Sequence, residues 1–163
     1  MKVFEPAVRS LAMALRGAGL KLATAESCTG GLIAAACTAV AGSSDWFERG
    51  FVTYSNEAKS ELLGVDAALL AAHGAVSSEV AKAMAEGALA HSRADLAVAV
   101  TGIAGPGGAS EGKRVGTVWL AVARRGDAMQ VERLQFCGDR ASIREQTVQH
   151  ALQRLIARPT SGC

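Results

Sequence analysis

Aromatic side chains are scarce in this chain, at 4 %, so it lacks the rows of rings on which single-stranded nucleic acid stacks. It also lacks an excess of one charge. Lys and Arg number 17, Asp and Glu 15, and the net charge is +2. No basic stripe remains to track a phosphate backbone or an anionic lipid surface, and neither nucleic acid nor membrane is expected as a partner. No apolar run is long enough to cross a bilayer. The first residues carry Lys2, Glu5, Arg9 and Arg16 where a signal peptide needs an apolar core. Cys28, Cys37, Cys137 and Cys163 include no C-x-x-C pair, which removes a zinc ribbon and a thioredoxin-type site. These absences point to a cytoplasmic protein with reduced thiols.

What remains is ordinary globular composition, 50 % hydrophobic over 163 residues. A chain of this size buries about 70 % of its unfolded surface and needs no staples. A single domain over 1–163 is expected, without linker or internal repeat. Val8, Leu11, Ala12 and Leu15 predict a helix over 3–16, stopped by Gly17 and Gly19. A strand is predicted over 20–24, a helix apolar nearly all round over 30–40, and a strand over 48–55. Asn56 is read as the cap of a helix over 57–63 and Asp66 as the cap of one over 67–72. Ser77 opens a third helix running to 91. Leu96-Ala97-Val98-Ala99-Val100 is an unbroken apolar run, the mark of a strand buried on both faces. A Gly-rich loop over 101–112 follows, then a hairpin of strands over 115–123 and 128–136, and a helix over 140–157. Residues 158–163 are read as a loose tail. Helices alternate with strands early and a hairpin comes late. The fold class is therefore α/β, a three-layer α/β/α sandwich with a mixed, mostly parallel sheet and a late hairpin.

Three stretches hold candidate chemistry. In Ala25-Glu26-Ser27-Cys28-Thr29-Gly30-Gly31 a strand gives way to a helix, where unpaired N–H groups favour an anion or a nucleophile. Ser27 and Cys28 are both candidate nucleophiles. On this stretch alone a capping serine and a packed cysteine are the better readings. His73, His91 and His150 have no recognisable partner, and a Ser-His-Asp triad stays open, since its members need not be adjacent. The second stretch runs from Thr53 through Tyr54, Ser55 and Asn56 to Lys59. Lys59 acts as a base only with its pKa pulled well below about 10.4; spacing alone favours a solvated lysine paired with Glu57 or Glu61. The third is Thr101-Gly102-Ile103-Ala104-Gly105-Pro106-Gly107-Gly108, whose backbone can approach an anion closely. The following residues nearly spell a P-loop, but Arg114 replaces the magnesium-binding hydroxyl and a strand follows in place of a helix. Arg140 opens the last helix, as a phosphate-holding group or an ordinary surface arginine.

In this order the three stretches, with Val115-Gly116-Thr117-Val118 after them, resemble the CinA carboxy-terminal domain family across almost the whole chain. Its stand-alone members are nicotinamide-nucleotide amidases. The resemblance implies hydrolysis of nicotinamide mononucleotide to nicotinate mononucleotide and ammonia, with no metal and no cofactor. It implies Ser27 as nucleophile, Lys59 as base and Tyr54 in their hydrogen-bond network. Thr29, Gly30, Gly31, Asn56, Thr101, Gly102, Gly105 and Arg140 are expected to line the substrate site. The larger CinA proteins carry an additional amino-terminal pyrophosphatase domain, expected to be absent here. Family members often continue the Gly-rich loop with a further glycine and a Lys-Pro pair, where this chain has Ala109 and Lys113-Arg114. The expected partner is a small-molecule pyridine mononucleotide. A homo-oligomer, as a homodimer, is expected from the Ala-rich apolar helices after Gly30 and Ser77. The rival functions are a non-catalytic nucleotide-binding protein and a hydrolase of another small amide.

Overall fold

The computed structural model describes residues 1–158. After a single 3-10 turn at Lys2–Phe4, the chain forms α1 (Glu5–Ala18), β1 (Leu22–Glu26), α2 (Leu32–Thr38), β2 (Phe47–Val52) and α3 (Asn56–Leu63). It continues with α4 (Ala67–His73), α5 (Ser78–Ala90), β3 (Leu96–Gly102), β4 (Thr117–Arg124), β5 (Gln130–Gln135) and α6 (Arg140–Ala157). The strands form one sheet in the order β2-β1-β3-β4-β5. β1 runs parallel to both neighbours and β4 antiparallel to both of its own. Only β4 is reversed, so the sheet is mixed and mostly parallel, as its alternation of strands and helices predicts.

Side chains alternate across a strand, and here the alternation sorts them by size. Leu22, Leu96, Val98, Val100, Leu120 and Val122 face one way, against Val8, Leu11 and Leu15 of α1, Ile33 of α2, and Val148, Leu152 and Leu155 of α6. The other face is alanine. Register aligns Ala25, Ala99 and Ala121 in one row and Ala23, Ala97 and Ala123 in another. Val80, Ala81, Met84, Ala85 and Ala88 of α5 pack on those rows. Small residues on both sides let the helix lie close to the sheet. α3 lies equally close to α5: a Cβ at Gly87 would sit 2.1 Å from the Leu63 carbonyl oxygen.

Several boundaries move. β1 begins at Leu22, since Leu20 donates to the Leu15 carbonyl and Lys21 to Asp95 before the ladder starts. β2 ends at Val52, opposite the last residue of β1. α2 is shorter than the predicted helix because Gly30 and Gly31 have φ of 59° and 97°, outside the right-handed helical region. It is also less buried than its composition predicts: Ile33, Ala36 and Cys37 are buried while Ala35 and Thr38 are exposed. The cap of α3 is Ser55, not Asn56; Ser55 Oγ accepts from the Ala58 N–H at 3.0 Å. Thr101 and Gly102 pair with Trp119 and Val118, so they extend β3 and the Gly-rich loop starts after them. Of the hairpin strands, β4 starts two residues later and ends one residue later than predicted, and β5 is shorter at both ends. Asp66, Ser77 and α6 match the prediction. The predicted loose tail falls on described residues only at Arg158, which is buried and donates to the Ala128 carbonyl; 159–163 lie outside the described residues. Among the described residues no helix is long and apolar enough to cross a membrane.

Candidate functional site

Parallel strands put their carboxyl ends on one edge, where open α/β sheets bind ligands. Here that edge gathers the ends of β1, β2 and β3, each of which leads into one of the three candidate stretches. β1 ends at Glu26, and the next N–H, that of Ser27, donates to the Val100 carbonyl of β3 at 3.1 Å. The chain then turns through Gly30, whose N–H returns to the Ser27 carbonyl at 3.0 Å.

Of the three side chains after Glu26, one is free to react. Thr29 is fully buried and its hydroxyl donates to Glu26 Oε1 at 2.6 Å, which takes it away from substrate. Burial pushes the Cys28 thiol up to about 12, so no thiolate forms near neutral pH. Ser27 Oγ lies 3.1 Å from Lys59 Nζ.

Lys59 stands in the first turn of α3, and that helix brings its side chain inward, 1 % exposed. Leu63, four residues on, is buried on the same face. Nζ also lies 3.1 Å from the Thr53 carbonyl, 3.4 Å from that of Tyr54 and 3.5 Å from that of Ser55. Burial holds its pKa below the ordinary lysine value, against the smaller upward pulls of Cys28 and Glu57. A neutral amine has two N–H bonds for these carbonyls and one lone pair for the Ser27 proton. The solvated pairing with Glu57 or Glu61 that spacing favours is not formed.

Tyr54 is placed differently from the network that the resemblance implies. Just past the end of β2 the extended chain still alternates sides: Thr53 is fully buried, whereas Tyr54 is 59 % exposed. Only the Tyr54 carbonyl reaches Lys59; its hydroxyl accepts from Arg140 Nη2 at 2.8 Å. Arg140 Nη1 donates to the Gly105 carbonyl at 2.9 Å, so this arginine ties the second stretch to the Gly-rich loop. The Thr101 hydroxyl is spent on the Ala75 carbonyl at 2.8 Å. Gly102 and Gly105 are sites of close approach, where a Cβ would meet Val118 at 2.7 Å and Val115 at 2.6 Å. Asn56 is exposed and lines a groove with Glu57, Ser60, Glu61, Ala67 and Leu70; Ser27 and Lys59 are not part of its lining.

The histidines are engaged elsewhere. His91 Nδ1 lies 2.8 Å from the Gly87 carbonyl, His150 Nε2 2.7 Å from Glu132, and His73 3.7 Å from Glu79. The triad left open by the sequence is therefore not assembled. Among the described residues no group of three or more His, Cys, Asp and Glu is placed to hold a metal ion.

Two residues at this edge escape a reading by motif. Glu26 is fully buried at the end of β1, and its carboxylate accepts hydrogen bonds from β1, from the turn after it and from the start of α2. The signal was an acid closing an otherwise apolar buried strand, which has to be paired. Arg144 Nη2 donates to the Thr29 carbonyl at 3.0 Å; its signal was the four-residue spacing from Arg140, which puts both on one side of α6. The N–H groups of Cys28, Thr29 and Gly31 find no acceptor on another of the described residues.

Comparison with known proteins agrees with the three-stretch pattern. The family described as CinA C-terminal domain matches residues 5–158. The chain is 56 % identical over 143 residues to the nicotinamide-nucleotide amidohydrolase PncC of Escherichia coli (strain K12), covering 87 % of this chain and 86 % of that one. It is 58 % identical over 145 residues to a CinA-like protein of Citrifermentans bemidjiense, covering 89 % of this chain and 35 % of that longer one. Among solved structures, the competence/damage inducible protein CihA from Agrobacterium tumefaciens has a TM-score of 0.92 at 50 % identity, with 94 % of each chain covered.

Proposed function

The chain belongs to the CinA C-terminal domain family, and from that membership we propose that it is a nicotinamide-nucleotide amidohydrolase working through Ser27 and Lys59. The substrate is nicotinamide mononucleotide, and the products are nicotinate mononucleotide and ammonia. The observation that carries this reading is the 3.1 Å contact between Ser27 Oγ and the buried Nζ of Lys59.

Neutral Lys59 takes the Ser27 proton as Oγ attacks the carboxamide carbon. The proton passes to the amide nitrogen, the C–N bond breaks and ammonia leaves. An ester to Ser27 remains. Lys59 then takes a proton from water as the water attacks that ester, and returns it to Oγ as the C–O bond breaks. The N–H groups of Cys28, Thr29 and Gly31, unspent on other residues, are the donors assigned to the oxyanion, each worth about 2.7–4 kcal/mol in the transition state. Arg140, exposed and set between Tyr54 and the Gly-rich loop, is the cation assigned to the phosphate.

Ammonia release from the mononucleotide, measured beside a panel of small amides, tests the reading. Wild type is expected to prefer the mononucleotide, and Ser27→Ala and Lys59→Met to lose at least about 10³-fold in kcat. Binding without ammonia release would make the protein a nucleotide-binding module instead, and preference for another amide would replace the substrate.

A further inference from the structure

Consecutive residues at the end of β1 leave the sheet on opposite sides. Ser27 emerges toward α3, where Lys59 meets it. Glu26 shares the parity of Leu22 and Thr24 and points under α2. There its carboxylate, fully buried, gathers four donors. Oε1 accepts from the Thr29 hydroxyl at 2.6 Å and the Ile33 N–H at 2.8 Å; Oε2 accepts from the Ala34 N–H at 2.9 Å and the Thr24 hydroxyl at 3.3 Å. These donors come from before the turn, within it and after it. Thr29 is gripped at its other end too, where its carbonyl accepts from Arg144.

We propose that Glu26 is the positioning residue of the nucleophile, a buried clamp that fixes the 27–31 turn so that Ser27 Oγ faces Lys59 and the turn's N–H groups stay free for the oxyanion. The proposal rests on the Ser27–Lys59 reading above. Two features support the assignment. The carboxylate bonds two N–H groups in the first turn of α2, at Ile33 and Ala34, and bonds none at Cys28, Thr29 or Gly31. It thus anchors the helix without consuming the donors nearest the nucleophile. The turn's own bonds are few, Gly30 N–H to the Ser27 carbonyl and Leu32 N–H to the Thr29 carbonyl, and its glycines at 30 and 31, both at positive φ, lose more freedom on ordering than any other residue, so the carboxylate adds ordering where the chain is costliest to order.

Glu26→Gln tests this at nearly constant volume. The carboxamide keeps one acceptor but turns an NH2 toward the donors Ala34 N–H and Thr24 hydroxyl, and the turn shifts. A displacement near 1 Å at a reacting atom costs about 10²-fold. Three readouts are taken: ammonia release from the mononucleotide, the rate at which a fluorophosphonate labels Ser27 per folded molecule, and the Ser27–Lys59 distance in a crystal structure of the variant. The expected result is a kcat loss of about 10²-fold with KM little changed, labelling slowed in parallel, and a lengthened contact. Thr29→Val, which deletes only the 2.6 Å bond, is expected to show the same pattern more weakly, and Thr29→Ser to restore wild-type behaviour. This second series decides the matter if Glu26→Gln does not fold. The proposal is overturned if the folded variants label at the wild-type rate with the contact intact, whatever their melting temperatures; Glu26 would then serve stability alone. If wild type releases no ammonia from the mononucleotide, the substrate reading fails, while labelling and the contact distance still decide the role of Glu26.

Discussion

A lysine ammonium taken out of water loses its hydration shell, and at Lys59 backbone carbonyls replace that shell only in part, two of the three contacts being 3.4 and 3.5 Å long. The lowered pKa that follows helps catalysis and works against the fold. Below the lowered pKa both folded and unfolded chains hold the proton, and the folded chain carries the cost of a buried charge. Between that value and the ordinary 10.5 the unfolded chain holds a proton that the folded chain has released, so stability rises with pH across this window and the cost is gone above it. Lys59→Met has no such group. The melting temperature of the variant minus that of wild type is therefore expected to fall as pH climbs through the window, which thermal melts at a series of pH values will check. Wild-type kcat is expected to rise at the lower end of the same window. The burial of Lys59 was partly legible in the sequence: its four-residue spacing from Leu63 puts both on one face of α3. What the spacing hides is depth, because a lysine one turn from a buried leucine can as well run its stem along the surface and leave its amine in water. The spent hydroxyl of Thr29 was hidden in the same way, since its partner Glu26 carries no motif of its own.

At the scale of the element, α3 matters because its first turn contains the base, and a helix end frays first. Its cap decides how well that turn is held. Ser55 is extended, with φ −83° and ψ 164°, and its hydroxyl accepts from Ala58; Asn56 is already helical and exposed. Ser55→Ala is expected to cost about 0.5–2 kcal/mol in urea denaturation, and Asn56→Ala much less. Ser55→Ala should also lower kcat, because the Ser55 carbonyl and the turn it closes are part of the surroundings of Lys59 Nζ. Equal losses from the two variants would contradict the assigned cap. Adjacent serine and asparagine are both good caps, so the sequence places the helix start within one residue and goes no further. α2 shows the complementary case. Its apolar stretch suggests a long helix from residue 30, but a left-handed glycine pair delays the first turn to Leu32, and backbone conformation of that kind leaves no trace in hydrophobic periodicity.

Across the whole molecule, the layers were legible in the alternation of helices with strands, and the size sorting of the sheet is written in the sequence as large-small alternation in Leu96–Val100 and again in 120–123. The strand order was not. β3 inserts beside β1 instead of beside β2, and this long-range choice is what sets Val100 against Ser27 and brings the third stretch to the edge shared by the first two. The alanine rows under α5 give the packing a direct route to the site. Ala99 lies between Ala25 and Ala121 with no exposure, so Ala99→Leu has no empty space to enter and is expected to cost about 1–3 kcal/mol. The strain cannot stay local. α5 is the helix that covers these rows, and at Gly87 its backbone lies so close to α3 that a Cβ would fall 2.1 Å from the Leu63 carbonyl oxygen. Lifting α5 therefore pushes on α3 at the end of the helix that carries Lys59. The expected outcome is that Ala99→Leu, measured where it is still fully folded, loses kcat well beyond what its stability loss explains, while Val98→Ile, on the opposite face against α1 and α6, lowers stability by a similar mechanism and leaves kcat per folded molecule close to wild type. Urea melts and ammonia release on the two variants separate these effects, and equal kcat losses from both faces would show that packing reaches Lys59 by some path other than α5.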